Sequence, residues 1–159
     1  MNHADTNWLE ALYINALPDD PAACERERIA ERFVRKHGNH VVVSHIVLLE
    51  ARVVFSRSTG QKKPAEWDQL EADFNGRVYV DPMNWDLLRR ECNGIAEQYA
   101  NKVKLGAFDM ALIAAAKLAG GRRFLSFDSR AKALAAAEGM DVFPPLDVEG
   151  KRILAQLQR

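Results

Sequence analysis

The feature that most constrains this chain is an alternation. Short runs of strand-forming residues are separated by longer stretches whose apolar residues recur at helical spacing. Val41, Val42 and Val43 form an unbroken apolar run of strand length, and Val78 and Val80 share one face of the segment from Arg77 to Val80. Arg122 to Phe127 and Met140 to Phe143 read as two more strands, and Met1 to Asp5 as a weaker one at the start. Strands that alternate with helices imply a parallel sheet covered by helices on both faces. The expected fold class is therefore α/β.

The punctuation between these runs is explicit. Thr6 and Asn7 close the first strand, and an apolar helical run from Trp8 to Ala16 ends before Pro18. Asp20 has the character of an N-cap with Pro21 at the first helical position, and Ile29, Ala30, Phe33 and Val34 form a stripe that stops at Gly38. Ser44 can cap the next helix, in which Ile46, Leu49, Val53 and Val54 recur until Gly60. Lys62 and Lys63 form a basic turn, and Pro64 opens a helix carrying Trp67, Leu70 and Phe74. Helices are expected from Trp85 to Ala100, from Ala107 to Ala119 up to Gly120 and Gly121, and from Ser129 to Glu138 up to Gly139. Pro144 and Pro145 end the last strand, after which 148–159 is either a short amphipathic helix or a frayed tail.

The chain has 159 residues, 48% of them hydrophobic, enough for one substantial core and too few for two ordinary domains. Lys plus Arg and Asp plus Glu both number 22, so nucleic acid cannot be coated by net charge and any contact with it must be local. Cys24 and Cys92 form no metal-binding or disulfide pattern. No secretory signal and no long apolar span is evident, so the expectation is a cytoplasmic protein without a membrane partner.

In a parallel α/β sheet, sites form outside the carboxyl ends of the strands. Asp5 and Asp128 each follow a strand candidate and precede a helix, while Glu50 and Asp109 interrupt otherwise apolar helices. Singly, each acid has an ordinary structural role open to it: turn or cap residue for Asp5 and Asp128, exposed helix position for Glu50, first-turn residue for Asp109. Jointly they point to chemistry, because converging carboxylates repel one another unless protons or a cation neutralise them. A hard divalent ion, Mg²⁺ or Mn²⁺, suits oxygen ligands. At least one of these acids should titrate above its usual range.

These segments resemble the signature of PIN-domain nucleases, in particular the VapC-type toxins of type II toxin-antitoxin systems. The resemblance runs through A-D-T-N-W-L around Asp5, V-S-H-I-V-L-L-E up to Glu50, G-A-F-D-M-A-L-I-A-A-A around Asp109 and F-L-S-F-D-S-R-A-K-A-L-A around Asp128. It implies a three-layer PIN-like domain over 1–147, with 148–159 as its tail or last short helix. It also implies that Asp5, Glu50, Asp109 and Asp128 bind metal and catalyse, with Thr6, Asn7 and Ser126 orienting the carboxylates or the metal's water. The implied activity is Mg²⁺- or Mn²⁺-dependent hydrolysis of RNA phosphodiesters. The implied partners are the RNA substrate, a cognate antitoxin protein and a second copy of the chain in a homodimer. Ala107 and Phe108 depart from the pattern, since many relatives carry polar or basic residues just before the third acid.

Other residues invite competing readings. His3, His37, His40 and His45 match no zinc-site spacing. Trp8, Trp67 and Trp85 could stack on bases, but they lie in helical apolar patterns that point to core or an oligomer contact, with core packing the default. Arg57, Lys62, Lys63, Arg122, Arg123, Arg130 and Lys132 form either a broken basic rim for phosphates or scattered solvated charges. Arg130 and Lys132, just after Asp128, are the strongest RNA-binding candidates. D-T-N also resembles the start of an Asp-nucleophile phosphatase, but Asn7 stands where that chemistry needs a second Asp. The alternative function is a PIN-like module that binds RNA or protein with little catalysis.

Overall fold

A computed structural model describes residues 1–38, 40–74 and 76–159. The first strand, β1 (Asn2–Ala4), occupies the middle of a five-stranded sheet. It is flanked by β2 (Val41–Ser44) on one side and β4 (Arg123–Leu125) on the other, with β3 (Val78–Asp81) and β5 (Asp141–Phe143) at the edges. Every pairing is parallel, and His3 of β1 lies opposite Val42 of β2 and Phe124 of β4. The chain winds outward from β1 through β2 to β3, then returns to the other side of β1 for β4 and β5. The winding direction therefore reverses between β1 and β4, and parallel sheets bind ligands in the crevice at such a reversal.

The helices are α1 (Thr6–Tyr13), α2 (Pro21–His37), α3 (His45–Thr59), α4 (Ala65–Asp73), α5 (Trp85–Tyr99), α6 (Ala107–Leu118), α7 (Ser129–Ala137) and α8 (Val148–Leu157). They flank the sheet in two groups. α1 packs against α2, α3 and α4, while α5 packs on α6, α6 on α7 and α7 on α8. Capping explains most boundaries. Asp20 accepts from the Ala23 amide to start α2, and Ser44 accepts from the Val47 amide to start α3. Gly60 stops α3 at φ 68, ψ 11, a left-handed conformation that glycine adopts without strain. The core is centred on Trp8, Phe55, Phe124, Ile113 and Leu134, all fully buried. Trp8 stacks on Phe127 and meets Phe33 edge-on.

Three expectations are revised. Helix α1 begins at Thr6 rather than Trp8, because Asp5 in extended conformation accepts from the Thr6 amide and so turns the chain into helix two residues early. The buried face of α3 is Ile46, Val47, Ala51 and Phe55, which leaves Leu49 and Val53 half exposed or more. Trp85 is 64% exposed at the start of α5, not core. Of the two readings open for 148–159, the short helix is the one found, capped by Asp147 on the Gly150 amide. Among the described residues, no helix is long and apolar enough to cross a membrane.

Candidate active site

Asp5 follows β1 and Asp128 lies three residues beyond β4, so the two acids flank the reversal of the sheet. Glu50 reaches the same place from α3, and Asp109 from the first turn of α6. All four line a single cavity of about 170 Å³, together with Thr6, Asn7 and Leu112. The expected quartet thus shares one cavity, although its members are spread over most of the chain.

Asp5 is the best-held member. Its Oδ1 accepts from the Thr6 amide at 2.6 Å. Its Oδ2 accepts from the Ser126 hydroxyl at 2.8 Å and from the Asn7 amide group at 3.1 Å. Asn7 also ties this cluster to the β4 side, since its Oδ1 accepts from the Phe127 amide at 2.8 Å. The Thr6 hydroxyl donates to Glu50 at 2.5 Å, which links the start of α1 to α3. The three neutral residues expected to orient the carboxylates therefore all touch Asp5 or Glu50.

Burial raises the Asp5 carboxyl to about pH 6 as its pKa, against the donors of Ser126 and Thr6, and the charges of Glu50 and Asp128 add to the rise. The direction agrees with the expectation from convergence. The main cause does not: removal from water outweighs like-charge repulsion.

The outer acids are held differently. Asp109 Oδ2 accepts from the Gly106 amide, Asp128 Oδ1 from the amides of Arg130 and Ala131, and Glu50 Oε2 from Thr6. Each is fixed by one oxygen and keeps the other without a hydrogen-bond partner among the described residues. Four carboxylates with three such oxygens suit a hard cation in donor chemistry. Among the described residues, no three of His, Cys, Asp and Glu stand close enough to enclose an ion. The arrangement fits Mg²⁺, which keeps several waters and binds proteins through one or two carboxylates, better than an ion that needs a full protein cage.

The basic rim is largely redrawn. Lys132 is only 3% exposed, and its Nζ lies 3.4 Å from the Pro145 carbonyl, so it packs beneath the surface instead of facing solvent as a phosphate contact would. Burial pushes its pKa down, against Asp147 and Asp128. Arg122 and Arg123 sit at the start of β4, the opposite edge of the sheet from the acids. Arg130 is exposed beside Asp128, as a rim cation would be. Sequence reasoning missed Glu10, a fifth carboxylate lining the cavity. Its signal was present: it follows Asn7 by three residues and Thr6 by four, one helical turn along the same face.

The sequence profile of the family described as PIN domain matches residues 4–137, most of the chain. The chain belongs to the PIN-domain family. Two solved structures share the fold of this PIN domain. VapC20 of Mycobacterium tuberculosis, a sarcin-ricin loop cleaving toxin, shares 18% identity over 88% of this chain and 96% of its own, with a TM-score of 0.64. FitAcB from Neisseria gonorrhoeae shares 16% identity over 91% of this PIN domain and 98% of its own chain, with a TM-score of 0.57. Comparison with curated proteins finds no match.

Proposed function

We propose that this PIN domain is a Mg²⁺- or Mn²⁺-dependent endoribonuclease, acting as the toxin of a toxin-antitoxin pair, with Asp5, Glu50, Asp109 and Asp128 as its metal-binding and catalytic residues. The observation that carries the reading is the meeting of these four acids in one cavity at the reversal of the sheet. The fold likeness to VapC20, a sarcin-ricin loop cleaving toxin, supports the toxin class. The partners proposed with it are an RNA substrate, an antitoxin and a second copy of the chain.

When bound, the cation activates water and offsets charge on the phosphate undergoing hydrolysis. The chain's own residues prepare the place. Ser126, Asn7 and the Thr6 amide hold Asp5 in one orientation, Thr6 fixes Glu50, and helix caps fix Asp109 and Asp128. Such fixed carboxylates need no rearrangement when substrate arrives. Arg130, exposed next to Asp128, is placed to meet a flanking phosphate.

The test is cleavage of a mixed RNA by purified protein with Mn²⁺, with chelator, and with Asp5→Asn. Cleavage that needs both the ion and Asp5 is expected. The rival reading, a binding module without catalysis, draws on the wide spacing of the carboxylates. Metal-insensitive absence of cleavage in the wild-type protein would select it.

A further inference from the structure

Beside the acid cavity lies a second one, of about 230 Å³, between α1 and α2. Glu10 lines both, so one side chain stands between the two. The floor of the second cavity is apolar, formed by Ala11, Ile14 and Leu17. Its polar groups come from Glu10, Asn15, Asp20, Arg26 and Ser58. Glu10 Oε1 accepts from the Ser58 hydroxyl of α3 at 2.7 Å, which fixes the carboxylate and leaves Oε2 without a partner among the described residues. Arg26 of α2 lies on the rim and makes no ion pair or hydrogen bond with any described residue, although α2 is rich in acids. The lining carboxylate of Asp20 is already engaged in capping α2.

The cavity therefore offers an apolar floor, one oriented carboxylate acceptor, the Asn15 amide and one cation unpaired among the described residues. A ligand that matches has a flat apolar body, a donor edge and an anionic group. We infer that the α1–α2 cavity is a nucleotide subsite that reads the RNA base next to the scissile phosphate, with Glu10 accepting from the base edge and Arg26 holding its phosphate. This rests on the ribonuclease reading above. Guanine is the base of choice, because its N1–H and N2–H donors lie side by side on the Watson–Crick edge and can both face a carboxylate. Uracil presents a single N–H between two carbonyl oxygens, which the Glu10 carboxylate repels. Arg26 contributes to any nucleotide alike, since a phosphate carries no sequence information.

The test does not require turnover. Metal-free protein is titrated calorimetrically with guanosine 5′-monophosphate and with uridine 5′-monophosphate. Guanosine monophosphate should bind about tenfold or more tighter, as one good bidentate pair allows. Glu10→Gln should erase the difference, and Arg26→Ala should weaken both nucleotides by a similar factor. Equal affinities, no binding of either nucleotide, or an undiminished difference in Glu10→Gln would overturn the inference. So would a cavity that binds only an inhibitory protein, seen as loss of that protein from both variants while neither nucleotide binds. In parallel, cleavage sites in a randomised RNA should cluster beside guanine for the wild-type protein and spread in Glu10→Gln. Cleavage without base preference would sink the subsite alone, whereas absence of cleavage with intact guanosine monophosphate discrimination would sink only the nuclease reading.

Discussion

Each residue of the Asp5-Thr6-Asn7 run has a separate task, which is why the three occur together. Asp5 ends the central strand and starts α1, Thr6 reaches across to Glu50, and Asn7 joins Asp5 to the backbone after β4. Asp5→Asn keeps the volume and the capping oxygen but removes the charge. RNA cleavage should fall to the no-protein background while the circular dichroism spectrum is unchanged; residual cleavage near the wild-type rate would remove Asp5 from the chemistry. Ser126 is fully buried and donates to Asp5 Oδ2, favouring the charged form of the carboxyl that burial opposes. Ser126→Ala should raise the Mn²⁺ concentration for half-maximal cleavage roughly 10–100-fold, the usual effect of losing a residue that orients a metal ligand. An unchanged half-saturation point would show that Asp5 needs no such support.

At the scale of elements, Asp128 combines two roles that substitution can separate. Its Oδ1 caps α7 through the amides of Arg130 and Ala131, and its charge belongs to the acid cavity. Asparagine caps nearly as well as aspartate, whereas alanine loses the cap at a cost of about 1 kcal/mol. Asp128→Ala should therefore melt roughly 2–4 °C below Asp128→Asn, while both lose cleavage. Matching melting temperatures would show that α7 does not depend on this cap. Caps were also the most legible part of the sequence: Asp20 with Pro21, Ser44, Gly38 and Gly60 mark boundaries that the structure reproduces within a residue. Legibility failed where tertiary packing decides. In α3, apolar residues lie on nearly every side, and the small Ala51 takes the buried face in place of Leu49. Lys132 was singled out for its place after Asp128 and Trp85 for its apolar helical pattern, and packing buries the first and exposes the second. The four acids were legible because strand ends and interrupted apolar helices are local features. The α1–α2 cavity beside them was not, since it exists only once two helices and the end of α3 meet.

At the scale of the whole molecule, two buried ionisable groups on one strand and its extension set opposing responses to pH. His3, in the middle of the sheet, is fully buried with neither ring nitrogen hydrogen-bonded among the described residues, and burial lowers its pKa from 6.5 to about 4. Between those values the unfolded chain binds the extra proton, so His3 removes stability as pH falls from about 6.5 to 4. Asp5 runs the other way. Its pKa rises from 3.8 to about 6, chiefly through burial, so the folded state holds the proton and stability is lost as pH rises across that window. Each effect is on the order of 3 kcal/mol over its range, at about 1.4 kcal/mol per pH unit. In metal-free protein the two should nearly cancel between pH 4.5 and 6, giving a flat profile of urea-unfolding free energy. Asp5→Asn removes one side of the balance. Its stability should climb by about 1.4 kcal/mol per unit from pH 4.5 to 6, and exceed that of the wild-type protein by on the order of 3 kcal/mol at pH 7, because the variant no longer buries a charge there. Urea denaturation of both proteins in chelator across this range is the measurement. Parallel profiles for the two would mean that Asp5 titrates at its ordinary value and that the acid cavity is wetter than its burial indicates.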